Sequence, residues 1–171
     1  RVEGALDAGP NVGRGTLDAL SSELASKAQT AADQLSSTPD ASAGLTLERI
    51  REQLGASDVV LWGASGQSIA GAGQSRFQLN PERPTSQQFR QARRQQVYAW
   101  IEGLEDAALA TLSKARIKVL VLVNSPGLGI VGELRFLYVT RVLPPTLVAN
   151  ALAVAEANRE YQERALARDG L

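Results

Sequence analysis

The sequence predicts an α+β fold: a central antiparallel sheet of about five strands flanked by long N- and C-terminal helices. Three observations carry this. Apolar residues recur every three or four positions over 16–36 and again over 146–169, which is the helical period. Three β-type runs follow one another at 97–102, 115–123 and 133–143. A shorter pair at 58–62 and 67–70 is joined by Ala-Ser-Gly, the composition of a tight hairpin turn. Consecutive strands joined by turns pair antiparallel, and helices then cover one face of the sheet.

The first element is expected to start near Thr16. Ahead of it, "AGPNVGRGTLDAL" (8–20) has the look of a phosphate-binding loop, but each chemical position is degraded. Counting back from Gly13, the first glycine is replaced by Ala8. The lysine position holds Arg14, and the hydroxyl position holds Gly15. No β-rich run precedes it, so the loop lacks the backbone cradle, the cation and the Mg²⁺ ligand of a nucleotide site. Pro10 with Gly9, Gly13 and Gly15 reads instead as a soft joint, a kinked or frayed stretch before the regular helix.

Leu17, Leu20, Leu24, Ala28, Ala31 and Leu35 then form one narrow stripe, and "SSTPDASAG" ends it. "LTLERIREQLG" is a second helix with Leu47, Ile50 and Leu54 inward and Gly55 as its C-cap. The hairpin follows, then the polar loop "RFQLNPERPTS" and a short exposed helix "SQQFRQARRQQ". "VYAWIE" is the third strand, "GLEDAALATLSK" a connection with room for a helical turn, and "ARIKVLVLV" a nearly continuous β run. "NSPGLGIVG" is a turn. In "ELRFLYVTRVL", Arg135, Leu137, Val139 and Arg141 alternate with Leu134, Phe136, Tyr138 and Thr140. Pro144-Pro145 ends that strand and opens the last helix, where Leu147, Ala151, Val154, Asn158, Tyr161 and Ala165 step as in a coiled-coil seam. This order of elements is the outline of a PAS-like sensor domain of the Cache type. It divides the chain into a membrane-proximal helix and loop (1–44), a sensor core (45–143) and a C-terminal helix (144–171).

Composition narrows the chemistry. The 171 residues carry 18 basic and 18 acidic side chains, and their zero net charge supplies no field for nucleic acid. There is no His and no Cys, so imidazole bases, thiol nucleophiles and the usual zinc or iron–sulfur ligands are excluded, and no cofactor is expected. A soluble enzyme is the least favoured reading, although composition still allows a carboxylate-only active site. No stretch reaches the ~20 apolar residues of a membrane span. The absence of Met, at position 1 as elsewhere, leads to the expectation that the chain is a piece of a longer protein.

The final "PPTLVANALAVAEANREYQERALARDGL" resembles the segment entering the second membrane span of NtrY-type nitrogen-regulation sensor histidine kinases. The opening "RVEGALDAG…GRGTLDAL" is similar to the stretch just after the first span, and "REQLGASDVVLWGASGQ" and "YAWIEGLED" match more loosely. The resemblance implies a periplasmic sensing segment of an inner-membrane kinase. It implies a homodimeric parent that phosphorylates itself in the cytoplasm and passes phosphate to a response regulator. It also implies a small-molecule ligand and terminal helices that carry the signal. It assigns no catalytic residue, because the kinase domain lies outside this chain. The alternative is a ligand-free dimerisation spacer, or a docking domain of a membrane receptor.

Candidate residues follow from the strand faces. Tyr98 and Trp100 share a face of the third strand with Glu102, as pocket lining or as core. Arg135 and Arg141 on the last strand suit a carboxylate or a phosphate, or a solvated face with ion pairs. Arg116 and Lys118, flanking the strong β run, share that choice, and Tyr138 lies on the alternate face of the last strand. The basic "RQARRQQ" suits an anion, a lipid surface or plain solvent. Leu147, Ala151, Val154, Asn158 and Tyr161 are the dimer and signalling seam, with Asn158 setting register or facing water. Glu105 and Asp106 form a carboxylate pair that could hold a cation, without further ligands nearby.

Overall fold

The computed structural model describes residues 12–78, 80–104, 115–124 and 134–169. Helix α1 runs Val12–Ser36 and α2 runs Ala43–Leu54. Strands β1 (Asp58–Gly63) and β2 (Ser68–Gly73) form a hairpin. A 3-10 turn, Gln74–Phe77, leads towards α3 (Ser86–Gln95). Strands β3 (Val97–Glu102), β4 (Arg116–Val123) and β5 (Arg135–Val142) precede α4 (Pro145–Asp169). The five strands make one antiparallel sheet in the order β2-β1-β5-β4-β3.

The chain divides into two compact units. One joins Ser21–Glu102 with Arg116–Val142 and holds the whole sheet. The other takes in Arg1–Leu20, Gly103–Ala115 and Leu143–Leu171. In the second, the Leu143 N–H donates to Ala115 O at 3.0 Å, and Val148 and Ala151 on α4 are buried.

β5 is the central strand, and its register sorts the side chains. Val139 pairs with Val59 on one side and Val119 on the other, and Leu137 pairs with Leu61 and Val121. These six form an aliphatic face, all of them buried. Alternation puts Phe136 and Tyr138 on the opposite face with Val60, Trp62 and Leu120. This second face is aromatic, and Phe89 and Ala92 of α3 pack on it.

The aliphatic face is closed by α1 and α2. Leu24, Ala28, Ala31, Ala32 and Leu35 of α1 are buried, as are Leu47, Ile50 and Leu54 of α2. Arg135 ties the sheet to the end of α1. Its guanidinium donates to Leu35 O at 2.8 Å, Thr38 O at 2.9 Å and Asp40 Oδ1 at 3.0 Å. The last carbonyls of a helix have no partner within it, and a cation there also meets the negative end of the dipole. The residue is 8% exposed, so those bonds are largely shielded from water. It is a structural cap, not a solvated charge.

Three expectations are adjusted. α1 begins at Val12 and contains Gly13 and Gly15, so the regular helix starts four residues before Thr16. Pro10 and Gly9 lie outside the described residues. β2 extends to Gly73, past the Ala70 expected from sequence, because the glycines and alanines of "AGAG" complete the ladder to Asp58. The helices do not all lie on one face, since α3 occupies the aromatic side. Other boundaries follow local chemistry. Gly55 caps α2 at φ 62°, a left-handed conformation that suits glycine. Thr85 begins α3 with a capping box: its hydroxyl accepts from the Gln88 N–H at 3.1 Å, and the Gln88 amide oxygen accepts from the Thr85 N–H at 2.9 Å.

Two stability outcomes follow. Arg135→Met should lower unfolding stability by about 3 kcal/mol in a urea titration, because buried carbonyls lose a charged donor. Thr85→Ala should cost about 1 kcal/mol in the same measurement.

Candidate functional site

The aromatic face carries a row of polar side chains set by strand register. Asp58 on β1 pairs with Thr140 on β5, Thr140 with Lys118 on β4, and Lys118 with Trp100 on β3. One row further, Glu102 pairs with Arg116. Gln74, Gln78 and Glu82 lie over this end of the face. Together they enclose a cavity of ≈ 390 Å³ lined by Asp58, Val60, Gln78, Glu82, Arg116, Lys118, Tyr138 and Thr140, among others. That volume lies within the range of small-molecule sites.

Lys118 is the unusual member. Lysine is rarely fully buried unless paired, yet this one is 3% exposed. Its ammonium donates to Thr140 Oγ1 at 2.9 Å and to Glu82 Oε2 at 3.3 Å, and sits 4.8 Å from the Tyr138 ring centroid. The ring face is electron-rich and attracts a cation. Tyr138 in turn stacks on Trp100 at 6.0 Å, and Trp100 meets Tyr98 at 5.1 Å. Burial, and then the carboxylates of Glu82 and Glu102, push the Tyr138 phenol well above its ordinary range, so it keeps its proton.

The other charges are committed within the wall. Glu102 accepts from Trp100 Nε1 at 2.8 Å and from Arg116 at 2.7 Å. Asp58 Oδ1 accepts from the Ser75 N–H at 2.9 Å and from the Ser75 hydroxyl, which anchors the start of the covering segment. Gly73, at φ 87°, is needed there: a Cβ would stand 2.4 Å from Ser57 O.

A wider hollow of ≈ 780 Å³ lies between the β1–β2 turn and α3, lined by Arg83, Arg90, Arg93 and Phe89 among others. Its arginines are exposed, the ordinary state of a solvated helix face. Arg90, Arg93 and Arg94 belong to the basic cluster of α3. The smaller cavity is the stronger candidate, because only there is a charge buried at the wall.

Of the residues predicted from sequence, Tyr98, Trp100, Arg116 and Tyr138 are brought together on the aromatic face. Arg135 does not join them. It projects from the opposite face of the sheet and caps α1. On α4, Leu147 is half-buried, Ala151 is buried and Tyr161 is 67% exposed. The side chains of Val154 and Asn158, and the Glu105–Asp106 pair, lie outside the described residues. Sequence reasoning did not single out Asp58, Thr140 or Glu82. Lys118, offered with Arg116 as an anion ligand or a solvated charge, lies inside an apolar β run, and that position is the sequence signal of its burial.

Among the described residues no group of His, Cys, Asp and Glu is placed to hold a metal ion, and no helix is long and apolar enough to cross a membrane.

The chain's fold is shared with known sensory domains. It is similar to the sensory domain of the Campylobacter jejuni chemoreceptor Tlp3 (CcmL), with 14% identity and a TM-score of 0.55 over 89% of this chain and 65% of that one. It is also similar to the ligand-binding domain of the same receptor in complex with 4-methylisoleucine, with 15% identity and a TM-score of 0.57 over 88% of this chain and 63% of that one. A further structure, that ligand-binding domain with L-valine, gives 16% identity and a TM-score of 0.55 over 89% and 64%. At such identity the likeness is one of fold: this is a PAS-like, Cache-type sensor-domain architecture. The chain spans less than two thirds of the length of these domains. No family model and no curated protein matches the sequence.

The buried phenol has a measurable consequence. A raised pKa in the folded state leaves stability flat below about pH 10 and lowers it above, where the unfolded chain releases the proton first. Tyr138→Phe should therefore leave the phenolate absorbance of the folded protein at about pH 11 unchanged, and should flatten the alkaline loss of stability.

Proposed function

We propose that this chain is the extracytoplasmic sensing domain of a membrane-anchored signalling receptor, of the sensor histidine kinase type that its terminal segments resemble. A small molecule binds on the aromatic face, between the sheet and the segment that covers it. The occupied state biases the terminal helices of a dimeric parent and sets cytoplasmic autophosphorylation and phosphotransfer to a response regulator.

The observation that carries this reading is the cavity at Lys118. A sheet used only as a spacer gains nothing from a buried ammonium set over the Tyr138 ring, since an apolar replacement of a buried charge is often neutral or stabilising. A ligand site gains a fixed electrostatic anchor. The fold likeness supports the same reading, because the similar chemoreceptor domain is described with 4-methylisoleucine, isoleucine and L-valine bound. The NtrY-like parentage and the nitrogen connection rest on the sequence resemblance of the two ends.

A thermal-shift screen of amino acids, organic acids and nucleotides tests the reading. A true ligand at a hundredfold excess over its Kd should add about 2.7 kcal/mol to stability and raise Tm visibly. Tyr138→Ala should abolish that rise while the protein still melts cooperatively. A flat screen across all classes would favour the spacer or docking alternative.

A further inference from the structure

We propose that Glu82 occupies the place of a ligand carboxylate. On this view the cavity at Lys118 takes a small carboxylate compound, which binds by displacing Glu82 from the ammonium. The inference rests on the sensing role proposed above and names the chemical class that the site accepts.

The geometry around Lys118 is that of an anchor incompletely used. An ammonium has three donors in fixed tetrahedral directions. Thr140 takes one at 2.9 Å, a full-strength bond to a side chain held in β5. Glu82 takes another at 3.3 Å, longer than the 2.7–2.9 Å usual for a charge-assisted N–H···O bond. The remaining electrostatic partner is the ring of Tyr138.

The two members of the ion pair are unequal. Lys118 stands in a paired strand with its side chain 4% exposed, whereas the Glu82 side chain is 59% exposed. Glu82 lies in the irregular stretch between the 3-10 turn and α3, where no ladder or helix bond holds it. A largely exposed carboxylate therefore reaches in to a buried cation that is fixed from below. An incoming carboxylate can replace it at small cost, because Glu82 returns to water as it leaves. Arg116, the other cation in the lining, is already engaged by Glu102 at 2.7 Å. Lys118 is thus the anchor open to exchange. Val60 and Tyr138 supply apolar contact beside it, so the ligand is a carboxylate with a short apolar or aromatic tail.

A plain structural ion pair and a ligand stand-in make opposite predictions for Glu82→Gln. If the pair is structural, the substitution lowers Tm and leaves small carboxylates without added effect. If Glu82 competes for the anchor, its removal frees Lys118. Were Glu82 bound nine-tenths of the time, carboxylate affinity would tighten about tenfold.

The experiment titrates the chain and two variants, Glu82→Gln and Lys118→Met, with isobutyrate and L-valine, and with isobutyramide and L-valinamide as neutral-headed counterparts. Binding is read by chemical-shift changes and by Tm. The expected result is that the carboxylates bind, that Glu82→Gln tightens them several-fold, and that Lys118→Met and the amides show no binding. Unchanged or weaker carboxylate binding in folded Glu82→Gln overturns the proposal. So does equal binding of acid and amide. A neutral or cationic hit from the broad screen that is indifferent to both variants overturns this inference and leaves the sensing role standing. No binding by any class to any of the three proteins overturns both.

Discussion

Everything in the sheet unit depends on the register of one strand. β5 is paired along its length by β1 on one side and β4 on the other. Because side chains alternate strictly along a strand, that register decides two surfaces together. A slip of one residue would send Phe136 and Tyr138 towards α1 and α2, and Leu137 and Val139 towards α3. It would also put Arg135 on the aromatic side and take its charged donor from the carbonyls of Leu35 and Thr38. The cap on α1 and the polar row at Lys118 are thus two results of one alignment. This is a physical reason for a large charged residue at the buried start of β5: it fits one register only.

The fold was legible where the local pattern was strong. The alternation of 135–141, the run of 115–123 and the stripe from Leu24 to Leu35 each state a face as well as an element. Legibility failed where composition was weak. Gly71 and Gly73 carry no side chain to betray a strand, so the second half of β2 was hidden. Gly13 and Gly15 are poor helix formers, yet α1 passes through both. The side taken by α3 is a tertiary fact: "SQQFRQARRQQ" buries only Ala92 fully, and that single small residue with half-buried Phe89 does not announce which face it meets.

The site was legible in part, and for a reason. The aromatic members declare themselves by size and alternation, so Tyr98, Trp100 and Tyr138 were within reach. The charged members do not, because a strand charge reads equally well as solvated. Lys118 and Arg135 are both buried, on opposite faces, with opposite purposes. One closes a helix within the protein, and the other faces a cavity. Sequence distinguishes them only through the partners, and those lie 22 and 36 residues from Lys118 and 95–100 residues from Arg135.

The segment from Ser75 to Thr85 is fastened at its two ends. Ser75 is held by Asp58 at the floor of the sheet, and Thr85 is locked into the first turn of α3. Between these pins, the contact described above from Glu82 is its ionic tie to the sheet. Neither end bond involves Glu82, so loss of its ionic tie leaves the anchor on the sheet and the first turn of α3 both in place.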